Sequence, residues 1–450
     1  MTAQSPRVAI VGAGPSGLYA ANALLGGNED VRIDILDRLP TPYGLLRYGV
    51  APDHTSMQGI QRVLAEPFAS DRVRYFGMVE LGSDITADQL RAGYDAVVYA
   101  AGASEDRRLD VRGEELPGSR SAREFVAWYC GHPDAEPQPL DGMDTAVTFG
   151  VGNVAIDVAR ILLADAEHLG QTDMPQHVLD ELTGHGITDV WVVGRRGPEH
   201  ATFTTTELRE LLNLEGVQPV LHDPVPDDPE DADRRVRQNL AALRDAAERV
   251  VEAPRARLNL AFWRRPVELV GASAVRAVVL ERTALDGDGR VVGTGEREVV
   301  HAQLVLRAIG YRGQPLPGVP FDPEAGVVPN EDGRVVDAAG PRPGEYVVGW
   351  IKRGPLGVIG TNKSDAAATV RNLLTDLDSL PGPSGPDAGT LLHERGREPS
   401  TYADWERIDA AERASGARYG RPRVKVATWH ALFDLVRHGR AGGPLEREGS

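Results

Sequence analysis

Short apolar runs alternate with helical stretches along the first hundred positions. Residues 7–11 (RVAIV) form a continuous apolar run stopped by glycine, the pattern of a strand covered on both faces. Residues 15–25 read as a helix and 31–36 as a second strand, which together make a βαβ unit. Residues 95–102 are a further apolar strand ending in glycine. The pattern then restarts. Residues 145–149 predict a strand, 154–164 an amphipathic helix and 189–194 another strand, with an insertion over 165–186 carrying a short helix of its own. An acidic, proline-rich loop follows at 221–233, then a helix over 234–251. Two β-rich runs, 258–269 and 275–283, lead into a turn at 286–289 that favours antiparallel pairing. Strands over 303–310 and 345–350 and a helix near 363–374 precede a Pro/Gly/Ser linker at 381–389. The last 60 residues hold one or two helices and carry the weakest pattern.

Both βαβ openings carry glycines at the strand-to-helix turn. In the first, Gly12, Gly14 and Gly17 have the spacing G-x-G-x-x-G. The first glycine allows the tight turn, the second lets backbone approach a pyrophosphate, and the third lets helix and strand pack closely. The helix N-terminus then offers free N–H groups to a diphosphate. Asp37 ends the next strand, where a carboxylate accepts hydrogen bonds from ribose hydroxyls and repels a 2′-phosphate. The second opening reads Gly150-x-Gly152-x-x-Ala155, and its next strand ends in Arg195 and Arg196 instead of an acid. Guanidinium groups pair a phosphate bidentately and stay charged at working pH. One site therefore suits FAD and the other NADP(H).

Composition narrows the field further. A chain of 450 residues holds two or three domains. The net charge of −17 argues against nucleic-acid binding. Residues 8–25 are apolar enough to suggest a signal peptide or membrane span, but three glycines and a proline there fit a strand–turn–helix better. No membrane association is expected. The chain has one cysteine, Cys130, which excludes an intrachain disulfide, a Cys-x-x-Cys redox pair and a cysteine-ligated iron–sulfur cluster. No metal is expected, and a cytoplasmic home is the default. Of 49 basic residues only Lys352, Lys363 and Lys425 are lysines.

Seven stretches, in order, resemble the adrenodoxin reductase type of ferredoxin–NADP⁺ reductase, especially its bacterial members. They are 11–17 (VGAGPSG), 40–45 (PTPYGL), 48–54 (YGVAPDH), 152–160 (GNVAIDVAR), 194–198 (GRRGP), 203–210 (FTTTELRE) and 349–362 (GWIKRGPLGVIGTN); 420–425 (GRPRVK) is similar to the family's C-terminal stretch. The resemblance implies an α/β fold of two Rossmann-like dinucleotide-binding domains. An NADP domain (107–329) would be inserted into a discontinuous FAD domain (1–106 and 330–450). It implies FAD contacts from Ser16, Asp37, Leu45, Leu81, Trp350, Gly357, Val358 and Ile359. It implies NADP contacts from Arg107, Asn153, Val154, Ala155, Ile156, Arg195, Arg196, Glu207 and Gly357. His54, Asp157 and Glu210 would lie near the nicotinamide. Two departures are visible: Asp37 replaces a glutamate common in the family, and Tyr43 stands where tryptophan is frequent.

Hydride transfer needs the nicotinamide stacked on the flavin, so orientation carries most of the catalysis. With no cluster in the chain, the electrons must leave to another protein or a small acceptor. The expected activity is NADPH:ferredoxin reduction by a monomer, with a ferredoxin as partner and a cytochrome P450 as an onward acceptor. The alternatives are an NADPH-dependent flavin monooxygenase and a redox-sensing flavoprotein without steady turnover. An acidic ferredoxin needs a basic face, for which Arg234, Arg235, Arg237, Arg244, Arg264 and Arg265 are candidates.

Overall fold

The computed structural model describes residues 5–54, 58–357 and 359–440. Two sheets carry the molecule. The first runs Asn330–Glu331, Arg334–Asp337, Gly340–Val347, Ala96–Tyr99, Arg7–Val11, Arg32–Asp37, Val73–Gly77. Its last five strands are parallel, and an antiparallel meander closes one edge. Strands from positions 7–99 and 330–347, on either side of the second sheet in sequence, thus build one sheet. The second sheet is wholly parallel, in the order Ser119–Ser121, Leu304–Arg307, Thr145–Phe149, Asp189–Val193, Ala256–Ala261, Val217–Leu221. Its central residues Ala146, Val147, Val190, Val192, Leu258 and Leu260 are buried, as expected for parallel strands with helices on both faces.

The two passages between the sheets lie side by side. Glu105–Asp106 and Tyr311–Arg312 pair antiparallel, Tyr311 opposite Asp106. The C-terminal segment forms a second tie. Arg47 and Glu412 make a buried bidentate ion pair, and Lys425 donates to the Arg47 carbonyl (3.0 Å) while its ammonium meets Asp173 (3.1 Å) on the second lobe. Arg421 donates to the Thr172 carbonyl on the same lobe.

The structure departs from the sequence reading in three places. The apolar run at 258–269 is two strands in different sheets, because Trp263 takes a left-handed conformation (φ 53°) between Ala256–Ala261 and Arg264–Val270. The second piece joins Ala277–Leu285 and Val291–His301 in a small antiparallel sheet. Trp350 does not end a strand. The strand stops at Val347, the chain turns at Gly349 (φ 77°), and Trp350 opens the short helix Trp350–Arg353. Among the described residues the tail holds three helices, Ala388–Glu394, Tyr402–Ala417 and Trp429–Arg440.

Candidate functional site

The C-terminal ends of both parallel sheets open on one cavity of about 2650 Å³. This is where doubly wound sheets bind ligands. At its first end, Gly12 has φ 110°, and a Cβ there would sit 2.5 Å from the Ala100 carbonyl oxygen. Gly17 packs against the Gly12 carbonyl with no room for a side chain. The helix Pro15–Gly27 starts at Gly14 without a side-chain cap, whereas Thr86, Thr204 and Thr401 cap their own helices. Its first N–H groups are left for a ligand. Asp37 lines the cavity and accepts hydrogen bonds from the Ala13 N–H (2.7 Å) and the Leu39 N–H (2.9 Å). Burial nevertheless raises its pKa, against those two bonds and Arg38. Opposite, the Trp350 indole N–H is buried with no hydrogen-bond partner among the described residues. A buried unpaired donor facing a cavity fits a cofactor that supplies the acceptor. With the glycine cradle and the uncapped helix, these residues fit FAD.

The second end repeats the design. Gly150 has φ 132°, and a Cβ there would lie 2.2 Å from the Ala308 carbonyl. The helix Asn153–Leu163 begins at Gly152, again without a side-chain cap. Asn153 instead accepts from the Thr204 N–H (2.8 Å), tying this helix to Thr205–Leu212. Beyond Val193, Arg195 and Arg196 are exposed, and neither makes an ion pair among the described residues. Two adjacent cations with no counter-ion fit a phosphate.

Between the two ends lies a charged cluster built from both lobes. Asp53 and His54 follow the helix Leu45–Tyr48, Asp157 and Arg160 lie on Asn153–Leu163, and Glu207 and Glu210 lie on Thr205–Leu212. His54 Nε2 stands 3.1 Å from Asp157 Oδ1, 3.0 Å from Glu207 Oε2 and 2.8 Å from Arg160 Nη2. Glu210 reaches His54 Nδ1 at only 3.7 Å and is half exposed. Arg160 is almost fully buried and grips Asp53 with two bonds, Nε to Oδ2 at 2.7 Å and Nη2 to Oδ1 at 2.9 Å. It also donates to Glu207 at 3.0 Å. Burial by itself lowers the His54 pKa, but the Asp157 and Glu207 carboxylates outweigh it and push it up to about 10. Burial raises Asp157, with His54 and Arg160 opposing. Glu207 goes the other way: burial is outweighed by His54 and Arg160, which hold it below the usual range.

A protonated Nε2 serves the two carboxylates, and a bare Nε2 accepts from Arg160. His54 therefore has partners in both protonation states without moving. By distance alone His54, Asp157 and Glu207 could ligate a cation. The Arg160 guanidinium already touches all three, so a positive charge is in place there.

Of the predicted site residues, Gly12, Gly14, Ser16, Asp37, Leu45, His54, Leu81, Arg107, Asn153, Val154, Asp157, Arg195, Glu207, Trp350, Gly357 and Ile359 line the cavity. Gly17, Ala155 and Ile156 lie beneath its wall, the last two fully buried, so they can offer a ligand only backbone groups. Arg196 and Glu210 stand outside the lining. Val358 lies outside the described residues. Sequence reasoning missed Asp53 and Arg160. Both sit inside the quoted stretches, and Arg160 follows Asp157 by one helical turn, the only local signal of their link.

Of the six arginines expected to form a docking face, Arg234 and Arg237 are exposed, and the other four are engaged within the protein. Arg264 is 7% exposed and bound to Asp223 and Glu298. Arg265 pairs with Glu281, Arg244 with Asp228, and Arg235 donates to the Ala201 carbonyl.

Fold and site together define an NADP-using flavoprotein oxidoreductase. No family model matches the chain. The chain is 45% identical over 456 residues to NADPH-ferredoxin reductase FprA of Mycobacterium tuberculosis, covering 96% of this chain and 98% of the relative. It is 41% identical over 461 residues to human mitochondrial NADPH:adrenodoxin oxidoreductase, covering 97% and 93%. Its structure matches that of M. tuberculosis FprA in complex with NADPH with a TM-score of 0.88 at 44% identity, over 97% of this chain and 99% of that one. The chain belongs to the adrenodoxin reductase-type family of NADPH–ferredoxin reductases, as a bacterial-type member. Among the described residues no helix is long and apolar enough to cross a membrane.

Proposed function

We propose that this chain takes a hydride from NADPH onto FAD and delivers single electrons to a ferredoxin-type iron–sulfur protein. The observation that carries it is the opposite charge at the two ends of one cavity: Asp37 lines one end and Arg195 the other, with Arg196 beside it in the chain and neither arginine in an ion pair among the described residues. Bound FAD supplies the step from a two-electron donor to one-electron delivery. The protein supplies position and charge. In this reading Gly12, Gly14 and the helix after them hold the FAD diphosphate. Asp37 takes the ribose, and Ser16, Leu45, Leu81, Trp350, Gly357 and Ile359 line the cofactor. The N-terminus of Asn153–Leu163 holds the NADPH diphosphate, Arg195 and Arg196 the 2′-phosphate, and Arg107 and Glu207 the adenosine end.

His54, Asp157 and Glu210 flank the nicotinamide, with Arg160 keeping His54 in register. His54 carries a proton at Nε2 and can release it while Arg160 takes over the hydrogen bond. The division into an FAD domain (1–106 and 330–450) and an NADP domain (107–329) belongs to the same reading. So do a monomeric state, a cytoplasmic setting and a cytochrome P450 beyond the ferredoxin. The test is anaerobic stopped-flow reduction of the yellow protein by NADPH and by NADH, followed at the flavin band. Fast bleaching by NADPH and slow bleaching by NADH are expected. A colourless protein, or equal rates with both, would overturn the proposal.

A further inference from the structure

We infer that Thr283 is a positioning residue for coenzyme selectivity: its hydroxyl holds the Arg195 carbonyl and so fixes the turn that presents Arg195 and Arg196. The inference rests on reading those arginines as the 2′-phosphate clamp. Parallel pairing of Asp189–Val193 with Ala256–Ala261 ends at Val193, and the Gly194 N–H makes the last bond of that ladder, to the Ala261 carbonyl at 2.9 Å. From there the chain leaves the sheet carrying two adjacent like charges, which repel each other and favour no single geometry. Some other element has to hold the turn.

The small antiparallel sheet and the bend at Trp263 that leads into it supply three donors to three consecutive carbonyls. Arg264 N–H donates to Gly194 O at 2.9 Å, the Thr283 hydroxyl to Arg195 O at 2.9 Å, and Trp263 N–H to Arg196 O at 3.3 Å. Thr283 provides the one side-chain donor of the three, and it is 4% exposed. Its own N–H binds the Trp263 carbonyl at 2.9 Å, so the same residue also supports the left-handed Trp263. A register shift lies beside it: Glu281 faces Arg297, but Thr283 faces Gly293. Bulges of this kind re-aim a side chain. Here the re-aimed side chain leaves its own sheet and reaches the arginine turn. The sheet is thus attached to the NADP lobe as a brace, and its residues Arg264, Arg265, Pro266 and Val267 also wall the cavity beside Arg195.

Replacing the hydroxyl by a methyl keeps the shape and leaves a peptide carbonyl without its donor, which frees the Arg195 peptide to rotate. The test is Thr283→Val beside Thr283→Ser and the double variant Arg195→Ala/Arg196→Ala, all as the FAD-loaded protein. Binding of adenosine 2′,5′-bisphosphate and adenosine 5′-monophosphate is measured by calorimetry, and kcat and KM with NADPH and NADH using ferricyanide. In Thr283→Val the preference for the 2′-phosphorylated ligand should fall about 5- to 10-fold. The loss should sit in the NADPH KM, with kcat and the NADH constants unchanged. Thr283→Ser should restore the preference to within about twofold. Should Thr283→Val not fold, Thr283→Ala is read by the same ratio. If the unmodified protein shows no 2′-phosphate preference, or the double variant keeps it, the clamp reading fails. If the unmodified protein shows a preference that the double variant loses and Thr283→Val retains, or if Thr283→Val weakens both ligands equally, the positioning inference fails by itself.

Discussion

His54 is protonated throughout the neutral range if its neighbours act as the geometry requires, and this can be tested by removing them. Glu207→Gln replaces one carboxylate 3.0 Å from Nε2 by a neutral amide of the same size. A hydrogen bond to a charged group contributes about 1.5–3 kcal/mol, and one pKa unit corresponds to about 1.4 kcal/mol. Loss of that bond therefore lowers the His54 pKa by about 1 to 2, from about 10 to the region of 8–9. Asp157→Asn removes the second carboxylate, at 3.1 Å, and leaves the Arg160 guanidinium at 2.8 Å unopposed at that nitrogen. In the double variant burial and Arg160 remain, and both lower the pKa, so His54 should titrate below its ordinary value of about 6.5.

The assay is the anaerobic rate of flavin reduction by NADPH from pH 5.5 to 9.5, with His54→Gln added to each background as control. The unmodified protein should show no inflection near 6.5 that His54→Gln abolishes. The double variant should show one below about 6.5, absent once His54 is also replaced. An inflection near 6.5 in the unmodified protein, lost in His54→Gln, would refute the reasoning, since it would mean the carboxylates do not hold the proton. Stability gives an independent readout. A pKa raised on folding from 6.5 to about 10 contributes stability that is fully present below 6.5 and lost as pH rises through about 10. Between those limits the unmodified protein should lose melting temperature more steeply than His54→Gln.

Two further outcomes follow from the geometry. Gly150→Ala forces a Cβ to 2.2 Å from the Ala308 carbonyl at φ 132°, so NADPH binding should be lost while the flavin spectrum is retained; tight NADPH binding by this variant would contradict the cradle. Arg47→Met removes the cation from buried Glu412, leaving it Arg423 at 3.3 Å and the Val426 N–H at 2.8 Å. Breaking a buried pair on one side costs about 3–5 kcal/mol, and the remaining partners put this one near the lower figure. Urea unfolding followed by flavin release should register it as an earlier transition.

The glycine turns were legible in sequence because each glycine answers a local demand that no other residue meets. The acid at 37 and the arginines at 195 and 196 were legible for a related reason: strand length fixes where the strand ends. What sequence hid depends on contacts between distant segments. Trp263 breaks the apolar run 258–269, yet a tryptophan in the left-handed region carries no composition signal; Thr283, twenty residues on, helps hold it there. Arg244, Arg264 and Arg265 read as free cations in sequence because their partners Asp223, Asp228, Glu281 and Glu298 lie on other elements. Arg160 reads in sequence as an ordinary cation on an amphipathic helix. Its nature emerges only when Asp53 arrives from the first lobe, 107 positions earlier.

That last contact bears on how the two nucleotide ends are kept in line. Asp53 and His54 come from the first lobe, while Asp157, Arg160, Glu207 and Glu210 come from the second. Arg160 and Asp53 have side chains 3% and 6% exposed. Separating the lobes would leave each without its partner in a partly dry site, and such desolvated charges cost several kcal/mol when unpaired. Apolar packing between the lobes would resist separation but tolerate sliding, because it has no direction. A bidentate arginine–carboxylate bond does not slide. The cluster thus sets the register of one lobe on the other at the place proposed above for the meeting of nicotinamide and flavin. The Lys425 bridge between the Arg47 carbonyl and Asp173 adds a second point. Two fixed points suppress most rotation, and hydride transfer depends on an alignment that such rotation would spoil.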